Sequence, residues 1–327
     1  MRWIEECAAG LTAIALTAFH LPAQAQDYPT RAVTLVAPYA AGGGADLVAR
    51  LMAQHLGDRL GQSFVVENRL GAGGVIAASS VAKSAPDGYT LFLGTSTQLA
   101  IQVTLHKKLP YDPATDFAPI ALIANVPFVL IVHPSLGVQS LTQLIALAKE
   151  RPGQLSFGSS GVGGPPHLYT ELLKMMAGIE MTHVPYKGTA QAINDLVAGH
   201  VPICFCDLAP AVPLIRDGKV VALGISSATR FVAIADVPPI AEAGVPGFNA
   251  VAWLMLVAPA HTPTAVVEKL HAEAKAVVTN TEVQRRLVEL GVTPINSPLP
   301  ADLTRYIETE VTRWGRVVQH AGLAGSE

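Results

Sequence analysis

The strongest constraint on the fold is a glycine-rich segment at residues 38–46, between an apolar run at residues 33–37 and a stretch with helical spacing. The apolar run predicts a buried strand, and the recurring apolar residues after it predict one face of a helix. A turn of this kind leaves backbone N–H groups unpaired at the positive end of a helix dipole, so it can bind an anion. Because three glycines also make an ordinary tight turn, this segment alone does not decide the function.

The same order of strand, loop and helix recurs along the chain. Apolar runs at residues 64–67, 89–93 and 128–132 predict further strands, and loops at residues 94–98 and 158–164 precede stretches with helical spacing. Residues between the strands at 128 and 251 have their own alternation, which predicts one lobe inserted within another through two adjacent crossing strands. Since parallel α/β sheets bind ligands at the carboxyl ends of their strands, we expect the loops of both lobes to line one cleft.

Composition narrows the possible ligands. The 327-residue chain is long enough for two lobes, each with its own core, and half of its residues are hydrophobic. The net charge of −3 predicts no nucleic-acid-binding face, so a small anion would be held by a few aimed donors. Cys204 and Cys206 lie in an apolar run and are predicted to be small core side chains, because no further metal ligands are near them. We expect neither a metal nor a cofactor.

Residues 1–25 have the pattern of a secretory signal peptide. Their apolar run at residues 11–19 is too short to span a bilayer, which needs about 20 apolar residues. The small residues Ala23 and Ala25 offer a cleavage site after Ala25. The mature protein is therefore predicted to be exported to the periplasm.

Six ordered segments carry a family resemblance, at residues 38–46, 66–74, 86–91, 109–113, 183–188 and 242–248. With them the chain resembles the Bug-type periplasmic solute receptors of tripartite tricarboxylate transport systems. The resemblance implies a type II periplasmic-binding-protein fold, an α/β architecture with two lobes joined by a two-strand hinge. Lobe 1 would comprise residues 26–125 and 251–327, and lobe 2 residues 126–250. Ligands of the family are small organic carboxylates, including di- and tricarboxylates, amino acids and aromatic acids.

The resemblance also implies where a ligand binds. One carboxylate would be held by backbone N–H groups and ordered water at the two loops of lobe 1, and lobe 2 would contribute to ligand choice. The residues predicted to bind the ligand are Tyr39, Ala41, Gly42, Gly43, Asp46, Thr95, Ser96, Gln98, Ser159, Ser160, Gly161, His167 and Asp207. Asp46 would contact water or a polar ligand group, or else cap the following helix.

Two cationic side chains near these loops are not predicted to bind the ligand, and two prolines change the wall of lobe 2. Arg69 and Lys187 are the nearest cationic residues, and we expect them to fix loop geometry or to lie in solvent. Pro165 and Pro166 stand where the family has small polar residues, which removes two backbone donors from the wall of lobe 2.

Two other functions remain open on the sequence. Ser160, His167 and Asp207 would make the triad of a periplasmic hydrolase, although no glycine follows two residues after Ser160, as the nucleophile elbow requires. A sensory role would present the closed receptor to a membrane-bound regulator instead of a permease. We expect a monomeric receptor with no catalytic residues, which delivers its ligand to the membrane permease subunits of a tripartite tricarboxylate-type transporter.

Overall fold

A computed structural model describes residues 28–327, so the predicted signal peptide at residues 1–25 lies outside the described residues. The fold is the predicted α/β type, built on a ten-stranded sheet with helices on both sides. Its strands are β1 (Val33–Ala37), β2 (Phe64–Asn68), β3 (Thr90–Thr95), β4 (Phe117–Val132), β5 (Ser156–Ser159), β6 (Thr182–Pro185), β7 (Ile203–Asp207), β8 (Val221–Ile225), β9 (Val251–Pro259) and β10 (Thr293–Pro294).

Ten α-helices lie within residues 28–327. They are α1 (Gly44–Leu60), α2 (Val75–Ala82), α3 (Gln102–Leu105), α4 (Leu141–Glu150), α5 (Pro165–Ala177), α6 (Thr189–Val197), α7 (Leu208–Arg216), α8 (Thr264–Thr279), α9 (Thr281–Glu289) and α10 (Pro300–His320). A π-helical segment, Thr97–Ile101, follows β3 directly, where the sequence predicts a loop. No helix in this described part is long and apolar enough to cross a bilayer.

The two lobes are the two halves of the sheet. In the first lobe, β1 pairs in parallel with β2 and β3, and β9 pairs antiparallel with β3. In the second lobe, β5 pairs in parallel with β6 and β7. Each lobe therefore has parallel strands whose carboxyl ends lead into helices, the arrangement that forms ligand sites.

Strand β4 joins the lobes, and the return connection leads into β9. Residues 117–127 of β4 pair with β9 in the first lobe, and residues 128–132 pair with β7 and β8 in the second. Ser226 fastens the two crossings to each other: its backbone N–H donates to the Phe128 carbonyl (2.8 Å), and its own carbonyl accepts from the Ala250 N–H (2.8 Å). The two crossing strands expected from the sequence are thus present, and the lobe boundaries proposed for them stay a prediction.

The sequence prediction was wrong about the start of β4. We expected this strand at residues 128–132, but it begins eleven residues earlier, at Phe117. Pro119 and Pro127 interrupt the strand pattern, because proline cannot donate to a sheet. The pairing with β9 tolerates the first of them by a register shift just after Pro119.

Three apolar clusters stabilise this arrangement. One lies within the first lobe, between α1, α8 and the sheet, and one lies within the second lobe around β7, α6 and α7. The largest continues through both lobes: it contains Phe92 of β3, Phe157 of β5 and Trp314 of α10. The expectation of one core for each lobe is therefore incomplete, because a shared core lies beside α10.

Candidate functional site

A cleft of about 640 Å³ lies where the two lobes face each other. Its walls come from the loops that follow β1, β3, β5, β6 and β7, and its floor comes from the crossing strands β4 and β9. Of the predicted ligand-binding residues, those that line the cleft are Tyr39, Gly42, Gly43, Thr95, Ser160 and Asp207. The structure thus brings both lobes' predicted loops to one place.

The start of α1 presents free backbone donors to this cleft. Its N-cap is Gly43, which has no side chain to accept from the helix, and the first intrahelical hydrogen bond runs from Leu47 to Gly43 (3.0 Å). The N–H groups of Gly44, Ala45 and Asp46 precede that bond and have no intrahelical acceptor. Gly44 and Ala45 line the cleft, so the positive end of α1 faces it.

Three helices of the second lobe also begin at the cleft. Their N-caps are Gly164 for α5, Gly188 for α6 and Asp207 for α7, and none makes a side-chain cap hydrogen bond. Away from the cleft, Ser140 caps α4 and Asn280 caps α9 with side-chain oxygens, whereas α2, α3, α8 and α10 also lack side-chain caps. Four helix starts therefore direct partial positive charge at one volume, although α5 contributes less because its first two residues are prolines.

Asp46 holds the loop of the first lobe in place. Only 1% of the residue is exposed, and its carboxylate accepts from the Gly42 N–H (2.8 Å), Arg50 Nε (2.9 Å) and Asn68 Nδ2 (2.8 Å). Burial would raise the pKa of Asp46, but the hydrogen bonds from Arg50, Gly42 and Asn68 outweigh it, and the pKa is lowered. The ionised side chain thus fixes Gly42, whose φ of +85° favours glycine.

Gln98 joins the loops of the first lobe from behind the cleft. The side chain is fully buried; its oxygen accepts from the Thr95 N–H (3.0 Å) and hydroxyl (2.8 Å). Its Nε2 donates to the Tyr39 hydroxyl (3.0 Å) and the Gly73 carbonyl (2.6 Å). With all its polar atoms occupied, Gln98 orients Tyr39 and Thr95, which line the cleft.

Ser159 and two histidines hold the loop of the second lobe. The Ser159 hydroxyl lies 2.6 Å from His183 Nε2 and accepts from the Gly161 N–H (3.1 Å). His167 Nδ1 accepts from the Gly163 N–H (3.1 Å), and its Nε2 lies 3.7 Å from Glu171. The two imidazoles stack with centroids 3.7 Å apart.

This arrangement does not supply the hydrolase triad that the sequence left open. Both ring nitrogens of His167 face groups other than Ser160 and Asp207, so His167 is not placed as the base for Ser160. No group of three or more His, Cys, Asp or Glu residues within residues 28–327 could hold a metal ion either. The free thiols of Cys204 and Cys206 are buried in the core.

Charged side chains of both signs reach the cleft. Lys187, which the sequence reasoning set aside, lines it together with Asp207 and Glu289. Burial raises the pKa of the Asp207 carboxyl, and a hydrogen bond from Thr189 lowers it by less. Two carboxyl groups and one ammonium give the lining side chains no net positive charge.

Several predicted residues are not among those that line the cleft. They are Ala41, Asp46, Ser96, Gln98, Ser159, Gly161 and His167, and their contact with a ligand stays a prediction. Arg69, also set aside, pairs with Glu67 at 2.8 Å.

Sequence reasoning missed the apolar floor of the cleft. Val126 and Phe128 of β4, and Ala252 and Leu254 of β9, lie there together with Leu208 at the start of α7. The prediction of two adjacent crossing strands contained the signal, because such strands form the floor between facing lobes. The cleft can therefore hold a polar anionic group and an apolar body at once.

Comparison with known families gives one family over most of the chain. The model of the tripartite tricarboxylate transporter family receptor matches residues 48–323. Protein BugT of Bordetella pertussis is 36% identical over 310 residues, which cover 94% of this chain and 95% of BugT. A protein from the tcbD–tcbE intergenic region of Pseudomonas sp. strain P51 is 37% identical over 308 residues, covering 94% of this chain and 91% of that protein.

Solved structures agree with this result. R. palustris Rpa4515 with adipate is 42% identical, with a TM-score of 0.81 over 91% of this chain and 99% of the other. MatC from Rhodopseudomonas palustris with bound malate is 36% identical, with a TM-score of 0.76 over 89% of this chain and all of MatC. The periplasmic binding protein BugD is 33% identical, with a TM-score of 0.77 over 91% of this chain and 99% of BugD.

Proposed function

We propose that this chain, which belongs to the tripartite tricarboxylate transporter receptor family, is an extracytoplasmic receptor that binds a small organic carboxylate in the interlobe cleft. Its relatives include periplasmic binding proteins, and an exported location agrees with the signal peptide proposed for residues 1–25. The receptor carries its ligand unchanged, with no cofactor, to the permease subunits of a tripartite tricarboxylate-type transporter.

The observation that supports this proposal most directly is that four helices begin at one cleft, none of them with a side-chain cap. A ligand carboxylate at α1 would accept from the N–H groups of Gly44 and Ala45, and the starts of α6 and α7 would face the rest of the ligand. Hydrogen bonds to a charged group contribute about 1.5–3 kcal/mol each. Two or three of them explain how a cleft without excess cationic side chains could bind an anion.

The floor of the cleft narrows the class of acid. Phe128, Ala252 and Leu254 offer apolar contact but no charge, which favours an acid with an aliphatic or aromatic body over one polar along its whole length. Adipate, bound by Rpa4515, has such a body, and malate, bound by MatC, is shorter and more polar. We therefore propose a carboxylate of the adipate type as the first candidate.

Binding would be coupled to movement of the lobes. The donors of the first lobe and those of the second contact the same ligand only when the lobes are close together. A ligand that binds this closed form more tightly shifts the population toward it. The permease subunits would then recognise the closed receptor.

A thermal-shift screen tests the proposal. The purified protein is heated with mono-, di- and tricarboxylates, acidic amino acids and aromatic acids, with the corresponding amides as uncharged controls. An acid at 100 times its Kd adds about 2.7 kcal/mol to the free energy of unfolding if it binds only the folded state. Saturable stabilisation by a carboxylate, but not by its amide, with the acid recovered unaltered, supports the receptor. Conversion of the acid, or no shift with any acid, would contradict it.

A further inference from the structure

A buried carboxylate, Glu310 of α10, lies at the junction of the two lobes. Only 6% of the residue is exposed. Its Oε2 accepts from both indole N–H groups of the described residues, Trp253 Nε1 and Trp314 Nε1, each at 3.0 Å. Its Oε1 accepts from Arg313 Nη1 at 3.1 Å. Both oxygens therefore have donors, and these donors come from two different elements.

The partners of Glu310 connect α10 to three places: strand β9, the chain just before β9, and helix α5 of the second lobe. Trp253 belongs to β9, is fully buried and is among the residues that line the cleft. Arg313 also donates to the carbonyl of Asn249, in the return crossing just before β9. Trp314 stacks on Tyr169 of α5, in the second lobe, with ring centroids 5.3 Å apart and planes at 23°.

Burying the carboxylate of Glu310 costs desolvation free energy, and the hydrogen bonds from Trp253, Trp314 and Arg313 offset that cost. Moving an ionised carboxylate out of water is strongly unfavourable unless it is hydrogen-bonded and paired. An apolar residue would pack here without that cost, but it would leave two buried indole N–H groups without acceptors. Glu310 can hold Trp253 and Trp314 on one oxygen and Arg313 on the other, so it fixes three groups in one geometry.

We propose that Glu310 is a positioning residue that sets the angle between the lobes, by fixing the return crossing and the cleft floor against α10. Ser226 joins the two crossings to each other, whereas Glu310 joins one of them to a helix that also contacts the second lobe. Loss of Glu310 would free Trp253, Asn249 and the Trp314–Tyr169 contact together. Its effect on ligand affinity rests on the proposed receptor function; its effect on lobe spacing does not.

The lobe spacing can be measured without a ligand. Spin labels on Gln54→Cys of α1 and Asn194→Cys of α6, both exposed, report the distance between the lobes by pulsed electron paramagnetic resonance. Cys7 is replaced by Ser, and Cys204 and Cys206 are buried and stay unlabelled. Glu310→Leu and Glu310→Gln are compared with Glu308→Gln, an exposed glutamate on the same helix.

The expected result is a distance distribution about twice as wide for Glu310→Leu as for the parent protein, with the Glu308→Gln control unchanged. Glu310→Gln keeps an oxygen for the two indoles and loses the Arg313 contact, so it should give a smaller broadening. A folded Glu310→Leu variant with the parent distribution would overturn the proposal. If that variant does not fold, an unchanged distribution for Glu310→Gln would overturn it instead.

Adipate titration separates this proposal from the receptor function. Where the parent protein binds adipate, folded Glu310 variants should bind it about tenfold more weakly. Without Glu310 the lobes adopt a wider range of angles, so a smaller fraction of the molecules has the binding geometry. Equal affinity in a folded Glu310→Leu variant would show a purely structural role. Failure of the parent protein to bind adipate would count against the adipate-type ligand alone, and the distance measurement would still decide the role of Glu310.

Discussion

Gly44 is the first residue of α1, and its N–H is one of the donors directed at the cleft. Proline is favoured at this position of a helix, and the extended backbone of Gly43 before it (φ −74°, ψ 161°) is compatible with a following proline. A Cβ atom added at Gly44 would meet no atom within 4 Å. The position therefore allows removal of a single backbone donor from an intact site.

We predict that Gly44→Pro binds the carboxylate ligand at least about 10-fold more weakly, because it loses one charge-assisted hydrogen bond of about 1.5–3 kcal/mol and its Cδ occupies the place of the amide hydrogen. Gly44→Ala keeps the N–H and serves as the control, with affinity close to that of the parent protein. Titration calorimetry on both variants measures the effect. Equal affinities in the two variants would show that this amide does not hold the ligand.

His183 gives a prediction on pH dependence. Burial and the neighbouring His167 lower the pKa of His183 to about 4. The unfolded chain, with an ordinary histidine pKa of about 6.5, binds more protons between these values, so acidification through this window destabilises the fold. We predict that His183→Gln loses less stability than the parent protein between pH 6.5 and 4, measured by denaturant unfolding. Parallel pH profiles would contradict the assignment.

At the scale of single residues, the sequence located the loops better than the side chains within them. The pattern at residues 38–46 marks a ligand loop, but whether Asp46 faces the ligand depends on Arg50 and Asn68, which turn it toward the loop itself. Lys187 was set aside as a residue that fixes loop geometry or lies in solvent; its place in the cleft lining with Asp207 depends on two separate strands. Orientation of this kind is set by tertiary contacts, which local sequence does not encode.

At the scale of elements, apolar periodicity was the most reliable signal, and proline was the main source of error. Strand β1 occupies the predicted residues 33–37. The first eleven residues of β4 were missed because a register shift accommodates Pro119, and β9 supplies the pairing. The glycine loops of both lobes were expected to line one cleft, and the structure adds the starts of α6 and α7 to them.

The start of α6 allows a direct test of the uncapped helices. Gly188 has an extended backbone (φ 170°, ψ 161°) that other residues adopt, and a Cβ atom added there would meet no atom within 4 Å. We predict that Gly188→Asp raises the free energy of unfolding by roughly a few tenths of a kcal/mol, because it caps α6, and that it weakens carboxylate binding. Gly188→Ser adds a cap without charge and should weaken binding less. Unchanged affinity in both variants would mean that α6 does not face the ligand.

At the scale of the molecule, the two lobes share one buried core. Phe92, Phe157 and Trp314 belong to one buried cluster although they come from different parts of the chain. We predict a single unfolding transition in calorimetry, with equal calorimetric and van't Hoff enthalpies. Two separate transitions would show that the lobes unfold independently and that the shared cluster around Trp314 couples them only weakly.

The most direct test of the receptor account is a crystal structure with the acid that stabilises the protein most in the thermal-shift screen. We predict a carboxylate whose oxygens accept from the N–H groups of Gly44 and Ala45, with the body of the acid on Phe128 and Leu254. A carboxylate held by Lys187, with the helix starts facing only water, would contradict the central claim that backbone dipoles bind the anion.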